Sequence, residues 1–226
     1  MKKVLLYSGG IDSWLINKLW KPDIKLYIDI HGMYSEVEKT RLPEDVIIVD
    51  FPLLGQWEYN NGYVPLRNLY FLMIASNYGD ELCLGATAGD SKKDSNIDFL
   101  HYTEIFINYL LFDDTQRQIK IEKKFAKMNK AQILEKALEE GITIEQVYNN
   151  TFSCYNPINN KPCYNCIPCF RRFSLLYKHG YKYSLEERKK MYEYIKNNDI
   201  NILINHNSEN DDLIYTIHNL NNEFNK

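Results

Sequence analysis

No run of apolar residues in this 226-residue chain approaches the roughly 18 that a membrane-spanning helix needs. The N-terminus also lacks the apolar core of a secretion signal, so the expected location is the cytoplasm. Basic charge is not in excess: 27 Lys and Arg stand against 30 Asp and Glu, a formal net charge of −3. Such a balance exerts no global pull on a polyanion and gives no strong nucleic-acid signal. Two familiar phosphate-binding signatures are missing as well, the G-x-x-x-x-G-K-[ST] loop and the G-x-G-x-x-G turn. No internal repeat is present, so a repeat architecture is not expected. What remains is the balance of a globular protein, 45% hydrophobic and 25% charged, long enough for one generous α/β domain with a small appendage.

Apolar runs at 2–7, 24–30, 45–51 and 81–85 read as strands, and 118–126 as a fifth. Helical spacing follows the first run over 12–20, where Leu15 and Leu19 stand four apart. Together these make a β-α-β unit within thirty residues, the building block of a parallel sheet. Further helices are expected over 65–79, with Gly79 as its stop, over 99–111 and over 184–199. Another spans 129–141, between Asn129 as cap and Gly141 as stop. Residues 86–98 are polar and without period, a loop of the length that usually serves function. Residues 200–226 are rich in asparagine and poorly patterned.

The join between the first strand and its helix reads "YSGGIDSW". Glycines there let a backbone approach a phosphate without a Cβ in the way, and the first helical N–H groups point at it. Ser8 and Ser13 add hydroxyls, and Asp12 can cap the helix or hold a divalent cation against the phosphates. A plain tight turn before a capped helix is the bland reading of "SGG" alone. The fuller S-G-G-x-D-S pattern favours a phosphate site, and it resembles the loop of the ATP pyrophosphatases, the PP-loop superfamily.

Cysteine is unevenly placed. Cys83 lies alone in an apolar stretch and reads as a small buried hydrophobe. Cys154, Cys163, Cys166 and Cys169 fall in a C-x8-C-x2-C-x2-C pattern that suits tetrahedral Zn²⁺. Disulfides belong to another compartment, a redox C-x-x-C leaves two cysteines unexplained, and an iron–sulfur cluster shares the ligand chemistry. Four protein ligands close the site, so a bracing role is expected of the metal.

Four stretches in order resemble the 7-cyano-7-deazaguanine synthases, the QueC family. They are the glycine turn, "YVPLRN" (63–68), "MNKAQIL" (128–134) and "SCYNPINNKPCYNCIPCFRR" (153–172). The resemblance implies a doubly wound parallel α/β sheet of PP-loop type over 1–150, with a small zinc-binding, helical C-terminal region over 151–226. It also implies an ATP-dependent ligase that takes 7-carboxy-7-deazaguanine and ammonia to the nitrile through adenylated intermediates, working as a homodimer with Mg²⁺ and Zn²⁺. The nucleotide would lie against Tyr7, Ser8, Gly9, Gly10, Ile11, Asp12, Ser13 and Gly85. Catalytic work would fall to Asp12, Ser13, Arg67, Asn68, Asp90 and Lys130, with zinc on the four clustered cysteines. Without the resemblance, Arg67 reads as a surface ion pair and Lys130 as a solvated side chain. Two departures stand out: Leu66 replaces the family's usual glycine, and the family's Gly-Tyr-Pro-Asp-Cys-Arg run is absent from 85–99. The alternatives are a divergent PP-loop adenylating enzyme, forming an amide or modifying tRNA or a protein, and an inactive nucleotide-binding module.

Overall fold

The structure is a computed structural model that describes residues 1–89, 93–199 and 210–225. Its contacts cluster into two compact units, Met1–Met128 and Asn129–Lys226. The helices over 130–139 and 144–150 therefore group with the cysteine segment, whereas the sequence places them with the sheet. For 144–150 a buried guanidinium supplies the physical reason. Arg172 donates to the Tyr148 carbonyl at 2.6 Å and the Thr151 carbonyl at 3.0 Å, and its plane lies 4.9 Å from the Tyr148 ring centroid.

The first unit is built on five parallel strands: β1 (Lys3–Leu6), β2 (Ile24–Asp29), β3 (Val46–Asp50), β4 (Glu81–Cys83) and β5 (Lys120–Ile121), in the order β3-β2-β1-β4-β5. The central register pairs Val4 with Ile24 and Leu5 with Cys83. Strand β1 is buried on both faces, the mark of a sheet covered by helices on two sides. Val4 and Leu6 join one core cluster with Leu72 and Ala75 of helix α3 (Arg67–Ala75) and with Leu100 and Ile107 of helix α4 (Ile97–Thr115). Leu5 and Tyr7 alternate to the opposite face. Helix α1 (Ile11–Trp20) makes the crossover from β1 to its parallel neighbour β2. The expected doubly wound parallel sheet is what the chain forms.

Between β2 and β3 the chain fits only a five-residue helix, α2 (Ser35–Lys39). Gly79 is no helix stop, since α3 ends at Ala75. A Cβ at Gly79 would stand 2.4 Å from the Lys2 carbonyl oxygen, so glycine lets the turn press against the start of β1. The fifth strand is shorter than its apolar run suggests. After Ile121 come Glu122, Lys123 and Lys124, and a 3-10 turn over Phe125–Lys127 ends it, keeping this edge short.

The second unit is helical: α5 (Lys130–Glu139), α6 (Ile144–Asn150), α7 (Ile167–Lys178), α8 (Leu185–Lys196) and α9 (Asn210–Phe224). Helices α5, α6 and α8 each open with a capping box, on Asn129, Thr143 and Ser184. Helix α9 lies within the stretch that carried no clear pattern. Leu213, Ile217 and Leu220 are buried at helical spacing along it, a stripe diluted in the sequence by four asparagines from 210 to 222.

Candidate functional site

In an open parallel sheet, ligands bind beyond the carboxyl ends of the strands where the strand order reverses. Here that place lies between β1 and β4. The glycine turn follows β1 and Gly85 follows β4, so the fold brings together most of the residues expected to hold a nucleotide. Gly9 at φ +73° and Gly85 at φ +78° take a backbone conformation that side chains rarely adopt. A Cβ on Gly85 would lie 3.7 Å from the Leu6 carbonyl, which places the two turns side by side.

Helix α1 begins from Gly10 with no side-chain cap, leaving its first N–H groups directed into the turn. Asp12 is therefore in the first helical turn and does not cap the helix. The Ser13 hydroxyl donates to the Gly10 carbonyl at 3.1 Å, and Ser8 is exposed at the mouth. The side chains of Tyr7 and Ile11 are buried, so both face the site through backbone alone. The Tyr7 N–H is already engaged, donating to the Leu26 carbonyl at 2.8 Å.

Arg67 opens α3, and its guanidinium lies 5.8 Å from the Phe71 ring centroid. Asn68, expected to read a substrate edge, donates through Nδ2 to the Asp94 carbonyl at 2.9 Å and so clasps the loop that follows β4. Asp90 lies outside the described residues. Lys130 sits at the first position of α5 in the second unit, half-buried.

Three features escaped the sequence reading. Arg41 brings its carbonyl oxygen to within 3.5 Å of where a Gly9 Cβ would stand, so a cationic residue borders the phosphate turn. The Tyr27 hydroxyl donates to Glu38 at 2.8 Å. Burial pushes the Glu38 carboxyl above its ordinary value, against the opposing pull of that hydroxyl and of Arg67. Finally, Asp29 at the end of β2 accepts the His31 N–H at 2.9 Å and lies 2.8 Å from the Lys39 ammonium, while His31 pairs with Asp50 at the end of β3. Burial works against the Asp29 charge, but Lys39, the His31 N–H and Ser35 together hold the carboxyl below its ordinary value. All three features hang on residues 31–41, a stretch with no periodicity to betray them.

The cysteine site is built in the second unit. A two-residue turn closes the eight-residue gap after Cys154: Asn159 (φ +50°) and Asn160 (φ +61°) sit between Ile158 and Lys161, which exchange backbone bonds of 3.0 and 2.9 Å. That returns the chain so that the ligand atoms of Cys154, Cys163, Cys166 and Cys169 lie within 4.8 Å of one another. The Cys163 N–H donates to Cys154 Sγ and the Asn165 N–H to Cys163 Sγ, both at 3.3 Å, the kind of outer bond that orients metal-binding sulfurs. Cys166 stands at the N-cap of α7. Its thiol is lowered to about 5, first by the Cys169 thiol and, against burial, by the Cys169 and Tyr155 N–H groups. Four sulfurs so gathered, with N–H donors turned on them, fit a tetrahedral zinc ion. Cys83 is apart from them, buried in β4, and burial pushes its thiol up to about 12.

Set against known proteins, residues 25–180 match the family model described as Queuosine biosynthesis protein QueC. The chain belongs to the QueC family. The match begins after the glycine turn, which stands on its own geometry. Among relatives of the family, the 7-cyano-7-deazaguanine synthase of Persephonella marina is 31% identical over 208 residues, covering 75% of this chain and 89% of the relative. 7-Cyano-7-deazaguanine synthase 1 of Desulfitobacterium hafniense is 25% identical over 214 residues, covering 79% and 92%. The synthase of Campylobacter jejuni subsp. doylei is 27% identical over 177 residues, covering 74% and 72%. No helix among the described residues is long and apolar enough to cross a membrane.

Proposed function

We propose that this chain is an ATP-dependent 7-cyano-7-deazaguanine synthase, a ligase that works in the cytoplasm on 7-carboxy-7-deazaguanine and ammonia. The observation that carries this reading is the uncapped, glycine-lined start of α1 at the strand-order reversal of a QueC-family sheet.

In the first half-reaction a carboxylate oxygen attacks the α-phosphorus of ATP and pyrophosphate leaves. Ammonia then adds at the carbonyl carbon and AMP departs, giving the amide. In the second, the amide oxygen attacks the α-phosphorus of a second ATP and a second pyrophosphate leaves. Loss of AMP and the nitrogen-bound protons leaves the nitrile. The turn from Ser8 to Ser13 would receive the polyphosphate through N–H and hydroxyl donors, aided by the bordering Arg41. Asp12 would hold Mg²⁺, which neutralises charge on the departing pyrophosphate. Arg67 offers two parallel donors to the substrate carboxylate or the phosphoryl oxygens. Asn68 acts through the loop it clasps, and Asp90 and Lys130 complete the proposed set. Zinc braces the second unit and takes no part in the chemistry. The likeness to a family whose members commonly pair supports a homodimer.

The test is incubation of the purified protein with ATP, Mg²⁺, an ammonium salt and 7-carboxy-7-deazaguanine, following deazapurine mass and AMP together. Nitrile with two AMP per product is the expected result. Amide with a single AMP would overturn the second half-reaction, and neither product would overturn the substrate.

A further inference from the structure

Trp57 ends a 3-10 turn, Leu54–Trp57, that follows β3, and 43% of it is exposed. The other two tryptophans, Trp14 and Trp20 of α1, are buried at 6 and 8%. A half-open indole gives up part of the burial for which tryptophan is useful in a fold. Its placement is nevertheless well determined. Leu54 is fully buried, and a Cβ on Gly55 would stand 2.1 Å from the Ile30 carbonyl oxygen, just past β2. The turn therefore sits at the carboxyl end of β2, on the same edge of the sheet as the glycine turn that leaves the neighbouring β1. The Glu58 carboxylate accepts the Met33 N–H at 2.7 Å and ties down the residue after the indole. The ring leans on Tyr70, with centroids 6.1 Å apart and planes tilted by 46°. Tyr70 stands three residues after Arg67 on α3, about 4.5 Å further along the axis and on the same face.

Charge says what the open part of the indole receives. From residue 51 to 66 the one carboxylate or ammonium group is Glu58, already engaged by Met33, and Asp50 just before the stretch is paired with His31. The first cation is Arg67. A flat, uncharged aromatic surface that ends at a guanidinium fork is complementary to a planar ring carrying one carboxylate. The ring stacks on the indole while its carboxylate meets the fork.

We propose that Trp57 is the stacking platform for the deazapurine ring of the substrate, whose carboxylate is directed to Arg67. The inference rests on the synthase reading above and adds the residue that selects a bicyclic aromatic substrate.

Tryptophan emission of the wild-type protein, followed as 7-carboxy-7-deazaguanine is added without ATP, tests it beside steady-state kinetics and thermal melts of Trp57→Leu and Trp57→Phe. Saturable quenching is expected in the wild type and none in Trp57→Leu, which keeps Trp14 and Trp20. KM for the deazapurine should rise about tenfold in Trp57→Leu, the loss of one base–aromatic stack. Trp57→Phe should restore most of that loss, and KM for ATP should stay unchanged in both. Should Trp57→Leu fail to fold, the wild type carries the test: the bound ring is expected to shield its exposed emission from acrylamide. A wild type that turns over without quenching or shielding, with an unchanged deazapurine KM in Trp57→Phe and any folded Trp57→Leu, would overturn this contact and spare the synthase. A rise in the KM for ATP alone would overturn it too, giving the indole to adenine. A wild type that is quenched yet makes neither amide nor nitrile would overturn the synthase and support the contact.

Discussion

Asn68 Nδ2 donates to the Asp94 carbonyl at 2.9 Å, so the helix that begins at Arg67 holds the far end of the loop leaving β4. Two stretches separated by 25 residues in the sequence are one structural device. The clasp is a single half-buried bond worth about 1 kcal/mol to the fold, but it fixes a loop that borders the proposed substrate site. Asn68→Ala is therefore expected to raise KM for the deazapurine several-fold at saturating ATP while lowering Tm by only a few degrees. Steady-state kinetics with each substrate varied in turn decides it. An unchanged deazapurine KM would make the clasp irrelevant to binding.

Leu66 stands at the N-cap of α3 with φ +58° and ψ 13°. A branched-at-Cγ side chain pays roughly 1 kcal/mol in that left-handed conformation, which glycine adopts freely. Because 57% of Leu66 is exposed, little packing offsets the strain. Leu66→Gly should accordingly stabilise the protein by about 0.5–1 kcal/mol, raising Tm by a few degrees in a chain of this size. The departure from the family's usual glycine thus leaves the backbone shape in place. A fall in Tm would show that the leucine side chain has a packing role.

Asp12→Ala removes the carboxylate from the first turn of α1. AMP release should become undetectable in the coupled assay, with zinc content unchanged and Tm within a few degrees of the wild type. Turnover at wild-type rate would remove Asp12 from the ATP site.

For the cysteines the expected outcome is structural. Cys154→Ser should bring the zinc-to-chain ratio from one towards zero and lower Tm by ten degrees or more, because metal binding contributes directly to folding energy in such sites. Elemental analysis beside a thermal melt reads both. Full zinc occupancy in the variant would mean that Cys154 is not a ligand.

Much of this was legible in the sequence for identifiable reasons. The strand–turn–helix over residues 3–20 announces itself through an apolar run, two glycines and a four-residue repeat, all local signals. The cysteine spacing survives translation into space because a compact Asn159–Asn160 turn takes up the long gap. Residues 31–41 gave no such signal. Glu38, Arg41 and the Asp29–Lys39 pair matter through which strand ends they meet, and that depends on sheet order. Helix α9 was obscured differently, its stripe of Leu213, Ile217 and Leu220 lying in an asparagine-rich background of low helix propensity. The bond from Asn68 to the Asp94 carbonyl was not legible because the loop that takes up the amide has no pattern of its own.

Glu187 in α8 ties the cysteine segment to the helices around it. It accepts the Tyr148 hydroxyl at 2.9 Å and the Tyr164 hydroxyl at 2.5 Å, while completing the capping box with Ser184. Tyr164, between Cys163 and Cys166, is itself held at φ +53°, so this anchor helps keep an unfavourable turn in place beside the metal ligands. Burial opposes the Glu187 charge, yet the bonds from Tyr164, Ser184 and Tyr148 hold its carboxyl below the ordinary value. Its contribution is therefore present above the unfolded value, near pH 4.3, and is lost as pH falls through the lower folded value. Glu187→Gln should cost about 1–2 kcal/mol at neutral pH, a figure kept modest because the group is only half-buried. The Tm gap between variant and wild type should close as the solution is acidified below about pH 4. Other groups that titrate in acid are the same in both proteins, so the gap and not the absolute Tm carries the test. A gap that persists undiminished into acid would show that the ionised carboxylate is not what holds the turn.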